Sequence, residues 1–497
     1  MPPKIKKNLR ILIIAAVVIA VFVGLYLYAG QRAFVSTIFS GLTLGSLFFL
    51  VAAGLTLIFG LMDVLNFAHG SMFMLGAYIG WQFYTNPTFI FGLAPLALAF
   101  GTGVLFTTVM KPYLVAWNIS ARLQKILPTI GYILALVAVV FALIGFDILG
   151  LADTAMVAGT PSTIGNPLSE ISQQEPLAKF WIRPVLMFIG GLLIAFASSK
   201  PGDKTQYAPK EGLGKNIILP SVLLVLTIFS VIVRESGPVA ILLMNGNIRF
   251  VISILVAVAF GFIFGAAVEI ILIRPLYVRP TFILLMTLGL SYVIRELVQF
   301  LWSPLTYQMS RPPLFAMPGK ATSLLEWLQN GNSTIGILGV TVPTYRLFVI
   351  ALGIVMFILV TLLMTKTRLG MIIRAGVQDP QMVEAMGINV KSVFTLVFAL
   401  GVALAALGGI GAAPFLPVQP LMGDAYQTQG LITVVIGGMG SYVGAFIGAM
   451  ILGIARAFGD YFALKLSLSP AIAEASTVII MVIVLLTRPQ GFFGKKE

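Results

Sequence analysis

The sequence predicts an all-α protein, a polytopic bundle of transmembrane helices in which some helices are broken or re-entrant. Hydrophobic residues make up 59% of the 497-residue chain, charged residues only 10%, and the mean hydropathy is +1.03. This composition excludes a soluble globular domain of this size. Apolar runs long enough to cross a bilayer, about 20 residues, recur along the chain. Basic residues gather between them, so the net charge of +14 indicates membrane topology and not a nucleic-acid surface.

The first predicted span, 9–29, has its apolar part at Ile11–Tyr28, which follows four basic residues in the charge order of a signal peptide. It is long enough to span and has no small-residue cleavage site, so we predict a retained transmembrane helix within 1–35. Further spans are predicted at 36–62, 88–110, 129–149, 184–199, 216–233, 250–273, 281–302, 346–365, 391–411 and 470–487. The predicted regions after the first are a helical core at 36–110, inserted helices at 111–250, further core at 251–303, an exposed extracytoplasmic loop at 304–345, and core at 346–497.

The positive-inside rule fixes the orientation. With a cytoplasmic N-terminus, the loops richest in Lys and Arg, such as Lys366–Arg374, fall inside. The basic C-terminus is also cytoplasmic if 428–458 dips into the membrane and returns, with a half-helix to about Val435 and a turn at Gly437–Ser441. Non-helical backbone at membrane depth needs protein or a water cavity to satisfy it. We therefore predict translocation-pathway residues in this turn: Gly437, Gly438, Gly440 and Ser441.

A second interruption lies within Leu61–Gly70. Asp63, Asn66 and His69 recur every three residues and would share one face of a helix, and Gly70 follows them. Ionisable groups inside membrane segments usually face the bundle interior or a cavity, so these four residues are also candidate pathway residues. The alternative for His69 is a buried histidine bonded to a neighbouring carbonyl. Snorkelling at the membrane surface explains two further charged pairs, Glu269 with Arg274 and Arg295 with Glu296.

The stretch 366–390 is charged and helical in pattern, and lies between two long apolar runs. Asp379 and Pro380 form an N-cap followed by an N1 proline, and Gly387 can close the short helix that they open. Such a helix at the inner face predicts a coupling loop for a soluble partner. Its candidate residues are Arg374, Asp379, Glu384 and Gly387, and Val383 is the position proposed for a crosslink.

Motifs for catalysis are missing from the sequence. The segment Gly212–Asn216 lacks the first glycine and the Ser or Thr of a nucleotide-binding loop, and one His with no Cys argues against a zinc site. We therefore predict that the chain is not an enzyme and binds no cofactor or metal. Any energy from ATP has to come from another subunit.

Several motifs together resemble one family. They are Asn66–Gly70 followed by Met74–Tyr78, Glu269 with Arg274–Leu276, Thr287–Ser291, Arg374–Ala375 with Gln378–Asp379 and Gly387–Ile388, Gly437–Ser441 with Gly444, and Arg488–Pro489 with Gly491 and Gly494. In this order they resemble the H-type permease subunits of branched-chain amino-acid ABC importers. Two features depart from the pattern: Glu384-Ala-Met is followed at once by Gly387, and roughly 110–250 has no counterpart in the family.

The resemblance implies a permease in the bacterial inner membrane that forms its pathway with a second homologous permease. Its other expected partners are two cytoplasmic ATPases, which use ATP, an extracytoplasmic substrate-binding protein and membrane lipid; nucleic acid is not expected. The expected substrates are branched-chain or other neutral aliphatic amino acids. Urea and short amides are the alternative substrates, and a secondary transporter or channel independent of ATPases is the alternative mechanism. A purely structural membrane scaffold is a third possibility.

Overall fold

The structure, a computed structural model, describes residues 19–62, 64–152, 177–202, 213–277, 279–378 and 380–493. Its helices are α1 (Ile19–Ala29), α2 (Gln31–Met62), α3 (His69–Thr85), α4 (Thr88–Leu105), α5 (Thr107–Val115), α6 (Ala121–Leu143), α7 (Leu177–Phe180), α8 (Ile182–Ser198), α9 (Leu213–Ile232), α10 (Ser236–Leu243), α11 (Gly246–Val268), α12 (Pro280–Trp302), α13 (Leu324–Asn330), α14 (Thr344–Lys366), α15 (Arg368–Gln378), α16 (Pro380–Ala385), α17 (Val390–Ala412), α18 (Met422–Gly437), α19 (Tyr442–Lys465) and α20 (Ala471–Thr487). Three strands precede α14: β1 (Met317–Ala321), β2 (Asn332–Ile337) and β3 (Val340–Pro343).

Within the described ranges, eight helices are long and apolar enough to cross a membrane, or up to nine if the pair α9 and α10, bent by 77°, is one span. The predicted polytopic all-α bundle with broken helices is confirmed. The predicted span at 129–149 is displaced, because α6 already begins at Ala121, where the Ser120 side chain accepts the Leu123 N–H and caps the helix.

One compact unit contains the described residues up to Trp81 and from Phe250 onward, and α2 lies at its centre. This helix packs against α14, α17, α18 and α19. Glycines bring the backbones together: a methyl group on Gly54 would lie 2.4 Å from the Gly401 carbonyl oxygen, and one on Gly453 would lie 2.3 Å from that of Gly41. Such small-residue contacts are typical of helix packing in membranes. Close packing of this kind explains why glycines recur at regular spacing in α19.

Two helices of this unit, α3 and α18, begin inside the bundle. The 32 residues of α2 extend over about 48 Å. The His69 ring at the start of α3 lies against Gly54, and Tyr426 in the first turns of α18 packs on Phe48 with ring centroids 5.8 Å apart. These two α2 positions are about 12 and 21 Å from the end of α2 at Met62. Both helices therefore start beside the interior of α2 and not beside its ends.

The helix, turn and helix predicted within 428–458 are present, and that the turn dips into the membrane stays a prediction. The half-helix α18 ends at Gly437, the chain turns through Gly438 and Gly440 with φ of +96° and +82°, and α19 leads back. Ser441 caps α19 by accepting the Gly444 N–H at 3.1 Å. The C-terminal segment docks at the same end of α18, since the Phe492 N–H donates to the Ile436 carbonyl at 2.9 Å.

The segment 304–345, predicted as a simple exposed loop, contains a small three-stranded sheet in the order β1-β2-β3. Strands β1 and β2 are parallel, and β2 and β3 are antiparallel. Helix α13 connects β1 to β2 and is anchored by Trp327, whose indole N–H donates to the Leu314 carbonyl at 2.9 Å. The strands were missed because they are four to six residues long, and the side chains of β1 and β2 do not alternate between buried and exposed.

The second compact unit is formed by the described residues within Gln82–Arg249. Helix α8 packs against both α4 and α6, and the backbones of α4 and α8 touch where Gly103 meets Gly191. The Arg234 guanidinium lies over the Phe180 ring, 3.6 Å from its centroid. This unit begins at Gln82, whereas the sequence placed the inserted helices at 111–250; that these helices are an insertion stays a prediction.

Candidate functional site

The break between α2 and α3 is tied to α18 by one side chain, Gln427. Its Oε1 accepts the Gly70 N–H at 2.5 Å, and its Nε2 donates to the Asn66 carbonyl oxygen at 3.2 Å. The backbones also touch, because a methyl group on Gly70 would lie 2.1 Å from the Gly423 carbonyl oxygen. The amide thus satisfies the free Gly70 N–H at the start of α3 and adds a second hydrogen bond to the Asn66 carbonyl, which also accepts the His69 N–H. Gln427 was not predicted, although an amide in an apolar half-helix is a visible signal.

Helix α12 holds the start of α3 from another side. The Phe67 N–H donates to the Thr287 Oγ1 at 3.2 Å, and the hydroxyls of Ser71 and Ser291 lie 2.9 Å apart. Thr287 and Ser291 belong to the motif on which the family resemblance partly rests. Helices α3, α12 and α18 therefore meet at one polar junction inside an apolar bundle, and its hydrogen bonds stabilise the positive end of the α3 dipole.

Asn66 and His69 do not share a helix face, so that expectation is wrong for this pair. Asn66 lies in the non-helical link, and its Oδ1 accepts the Ala68 N–H at 3.0 Å. His69 is the first residue of α3. The difference arises because an asparagine side chain that bonds to the backbone two residues on favours a turn over a helix. Asp63 lies outside the described residues.

The His69 imidazole is fully buried against α2. A methyl group on Gly54 would lie 2.6 Å from its Nε2, and the Val51 carbonyl is the polar group with which the ring interacts. Among the described residues, neither ring nitrogen makes a hydrogen bond of ordinary geometry. The ring thus fills a helix contact, as in the buried-histidine alternative. A pathway role for Asn66, His69 and Gly70 stays a prediction.

The turn from Gly437 to Ser441 lies near the end of α2. A methyl group on Gly60 would lie 3.6 Å from the Gly440 Cα, so the structure brings the turn close to the helix that precedes the first break. Gly437 is in backbone contact with Gly444 of α19, since a methyl group there would lie 2.4 Å from the Gly444 carbonyl carbon. The pathway role of Gly437, Gly438, Gly440 and Ser441 stays a prediction.

A cluster at the end of α11 was read as snorkelling, and the structure corrects this. The Glu269 side chain has no solvent exposure and receives two hydrogen bonds from Arg274, at 3.2 and 3.0 Å. Tyr277 and Thr395 also donate to its carboxylate, the latter at 2.6 Å. Glu269 opens a π-helical turn, Glu269–Ile273, which widens the helix at this point.

This cluster connects distant parts of the chain. Thr395 is 126 residues from Glu269 and lies in the second turn of α17, the helix that follows α16 directly. Burial and the hydrogen bond to the Glu269 carboxylate raise the pKa of Tyr277 above its ordinary value. The charge of Glu269 and its spacing to Arg274 were visible in the sequence, but the partner on α17 was not.

The segment 366–390 forms two helices, α15 and α16, in agreement with its helical pattern. The Arg374 guanidinium donates to the Met364 carbonyl and so caps the end of α14. Helix α16 begins at Pro380 and ends at Ala385, and the predicted closing residue Gly387 follows with φ of +81°. The Gly387 N–H donates to the Glu384 carbonyl and the Ile388 N–H to that of Val383, at 2.9 and 3.3 Å, which is a Schellman motif.

The side chains of α16 have two environments. Glu384 and Met386 are exposed, Met386 to 61%, whereas Val383 is buried. Asp379 lies outside the described residues. The coupling role of Arg374, Asp379, Glu384 and Gly387 stays a prediction.

The family is apparent from comparison with known proteins. A family model for the permease component of branched-chain amino acid transport systems matches residues 221–487, more than half of the chain. The high-affinity branched-chain amino acid transport system permease protein BraD of Pseudomonas aeruginosa is 28% identical over 251 residues, which cover 50% of this chain and 74% of that protein. The corresponding protein LivH of Escherichia coli is 33% identical over 138 residues, 28% of this chain and 43% of LivH.

The fructose import permease protein FruF of Bifidobacterium longum is 28% identical over 247 residues, which cover 48% of this chain and 62% of FruF. No solved structure matches the chain. The matched family residues include α12, α15 to α19, the polar junction partners Thr287 and Gln427, and the cluster of Glu269 with Thr395. This is a multi-pass membrane protein, and it belongs to the family of permease components of branched-chain amino acid transport systems.

Proposed function

We propose that this chain is the H-type permease subunit of an ABC importer for branched-chain or other neutral aliphatic amino acids. It would form the pathway with a second homologous permease and work with two cytoplasmic ATPases and an extracytoplasmic binding protein. The observation that carries this proposal is the family match over 221–487, which includes the α12 and α18 residues of the polar junction and the helices α15 and α16. ATP would be bound by the partner ATPases, and the chain would lie in the bacterial inner membrane with both termini in the cytoplasm.

Helix α16 is the proposed contact for the ATPases. Its exposed side, with Glu384 and Met386, is free of the chain's own packing, whereas its Val383 faces inward. Force on this helix would pass directly to α17 and to α14, because Asn389 caps α17 and Arg374 holds the corner between α14 and α15. Arg374 therefore acts on its own chain, and Glu384 is the better candidate for a contact with the partner.

The polar junction is the proposed constriction of the pathway. It joins the starts of two half-helices, and one side chain, Gln427, bridges the break. Broken helices of this kind line substrate paths in other transporters. Movement of α18 away from α3 would break the hydrogen bonds of Gln427 to the Gly70 N–H and the Asn66 carbonyl together, and would open the pathway at this constriction.

The test uses the absence of cysteine from the chain. Met386→Cys should form a disulfide with a cysteine placed in the groove of a copurified ATPase, and the buried Val383→Cys should not. In vesicles containing the whole importer, labelled leucine should be taken up only with ATP and the binding protein. Leucine uptake in vesicles of the permease alone would reject the proposal in favour of a secondary transporter, and uptake of urea without leucine would favour the amide alternative.

A further inference from the structure

An ion pair lies where α12 meets the start of α18. The Arg295 Nη1 is 3.1 Å from the Asp424 Oδ2, and its Nε is 3.8 Å from Glu296. The guanidinium also lies over the Tyr292 ring, 4.7 Å from its centroid. Arg295 is mostly covered, with 22% of its side chain exposed, whereas Asp424 is 53% exposed and Glu296 68%. The pair was read from the sequence as snorkelling, which does not account for the contact with Asp424.

The pair lies at membrane depth. Asp424 directly follows Gly423, which is in backbone contact with Gly70 at the start of the half-helix α3. It is two residues before Tyr426, which packs on Phe48 near the middle of α2. Arg295 lies seven residues before the end of α12 at Trp302, about 10 Å inside the helix. An exposed carboxylate at this depth does not face lipid, because ionisable groups in membrane spans face the bundle interior or water.

The exposed side of α18 continues from this pair as one stripe. Asp424, Thr428 and Met439 are exposed, with the half-buried Leu431 and Val435 between them at helical spacing. The stripe ends at the turn that closes the hairpin, and the buried Gln427, three residues after Asp424, borders it on one flank of the same helix. A solute at the ion pair would therefore lie next to the junction at which Gln427 bridges the break.

We propose that Arg295 and Asp424 form the binding position for the zwitterionic head of the transported amino acid, an inference that rests on the function proposed above. Arg295 takes the carboxylate and Asp424 takes the ammonium group, with Glu296 beside it. When a zwitterion enters between an acidic and a basic side chain, the ion pair between the two side chains is replaced by two ion pairs with the zwitterion. No net charge is added within the membrane. Urea and sugars lack both charges and cannot replace the broken contact.

A second ion pair in the chain provides a matched control. Arg456 and Asp460 of α19 lie 3.6 Å apart and are 21% and 51% exposed, nearly the same as the first pair. Asp460, however, lies five residues before the end of α19, and Arg456 also contacts Glu474 in the first turn of α20. Arg456 lies as deep in α19 as Arg295 does in α12, but both of its carboxylate partners lie within about 8 Å of a helix end, where snorkelling is sufficient.

The test uses the complete importer in vesicles and compares variants of the two ion pairs. In each preparation, two quantities are measured: uptake of labelled leucine, and ATP hydrolysis stimulated by the binding protein. Asp424→Asn and Arg295→Gln should lower uptake at least tenfold while stimulated ATP hydrolysis changes less than twofold, so that more ATP is used per leucine. Asp460→Asn and Arg456→Gln should leave both within twofold. Asp424→Glu, which keeps the charge, should retain a large part of the uptake.

The charge-swapped double variant Arg295→Asp with Asp424→Arg separates a binding role from a structural one. It restores an ion pair but reverses the order of the charges, so we expect assembly with the ATPases to recover and leucine uptake to stay low. Recovery of uptake in the swapped variant would overturn the proposal, as would normal uptake by Asp424→Asn or an equal loss of uptake and ATP hydrolysis. If instead the unchanged importer takes up no leucine, the proposed function itself fails.

Discussion

At the scale of single residues, the polar junction depends on a position with no room for a side chain. Gly70→Ala should destabilise the protein by about 1–3 kcal/mol, because its new methyl group would lie 2.1 Å from the Gly423 carbonyl oxygen and 2.6 Å from the Gln427 Cβ. The change should also separate α18 from α3 and reduce uptake. Thermal unfolding of the purified protein in detergent and leucine uptake in vesicles measure the two effects.

The matched control for this residue is Gly289→Ala in α12. A methyl group on Gly289 meets nothing within 4 Å, and alanine favours a helix over glycine by about 1 kcal/mol. Its melting temperature should therefore be unchanged or slightly raised. Equal melting temperatures for the Gly70 and Gly289 variants would mean that α3 and α18 are not in close contact in the folded protein.

At the scale of helices, the Glu269 cluster links the π-helical turn after α11 to α17. Glu269→Ala should cost about 3 kcal/mol, the lower end of the range for breaking a buried ion pair, because one third of the Arg274 side chain remains exposed and can be solvated. Thr395→Val keeps the volume but removes a hydroxyl that donates to Glu269 and accepts from Arg274, and should cost about 2 kcal/mol. Thermal unfolding measures both.

A double variant tests whether the loss of stability comes from breaking the interaction between Glu269 and Arg274. Removing Arg274 together with Glu269 leaves no unpaired charge, so Glu269→Ala with Arg274→Met should be less destabilised than the sum of the single changes. Additive costs would show that Glu269 and Arg274 stabilise the protein independently of each other.

Helices that depend on local chemistry could be predicted from the sequence. The short helix α16 follows from Pro380 at its start and Gly387 at its end, and the hairpin turn follows from the glycines around Gly438 together with the positive-inside rule. In the segment 304–345, the sequence signals for secondary structure were weaker, because the strands are short. Within this segment, α13 has clear caps, Ser323 and Gly331.

Contacts between distant residues could not be predicted. Glu269 and Thr395 are 126 residues apart, and Arg295 and Asp424 are 129 apart, so each pair forms only when the helices are packed. Isolated charges at the ends of apolar runs are equally compatible with snorkelling and with a buried pair. The choice between snorkelling and a buried pair depends on which residue the charge contacts, and a single sequence does not reveal that residue.

At the scale of the whole molecule, the proposed orientation places the small sheet outside the cell and α16 inside. Leu338, in the turn between β2 and β3, is 71% exposed, and Met386 is 61% exposed at the end of α16. The chain has no cysteine of its own, so single cysteines at these two positions report only on their own side of the membrane. In intact cells, a membrane-impermeant thiol reagent should label Leu338→Cys and leave Met386→Cys unlabelled.

Permeabilised cells provide the control for this orientation. Both cysteines should then react to a similar extent, because their side chains are similarly exposed once the membrane barrier is removed. The buried Val383→Cys, close to Met386 on the same helix, should react slowly in both preparations, which separates burial in the protein from protection by the membrane. Labelling of Met386→Cys in intact cells would place α16 on the outer face, where no cytoplasmic ATPase can reach it, and the coupling role proposed for this helix would have to be abandoned.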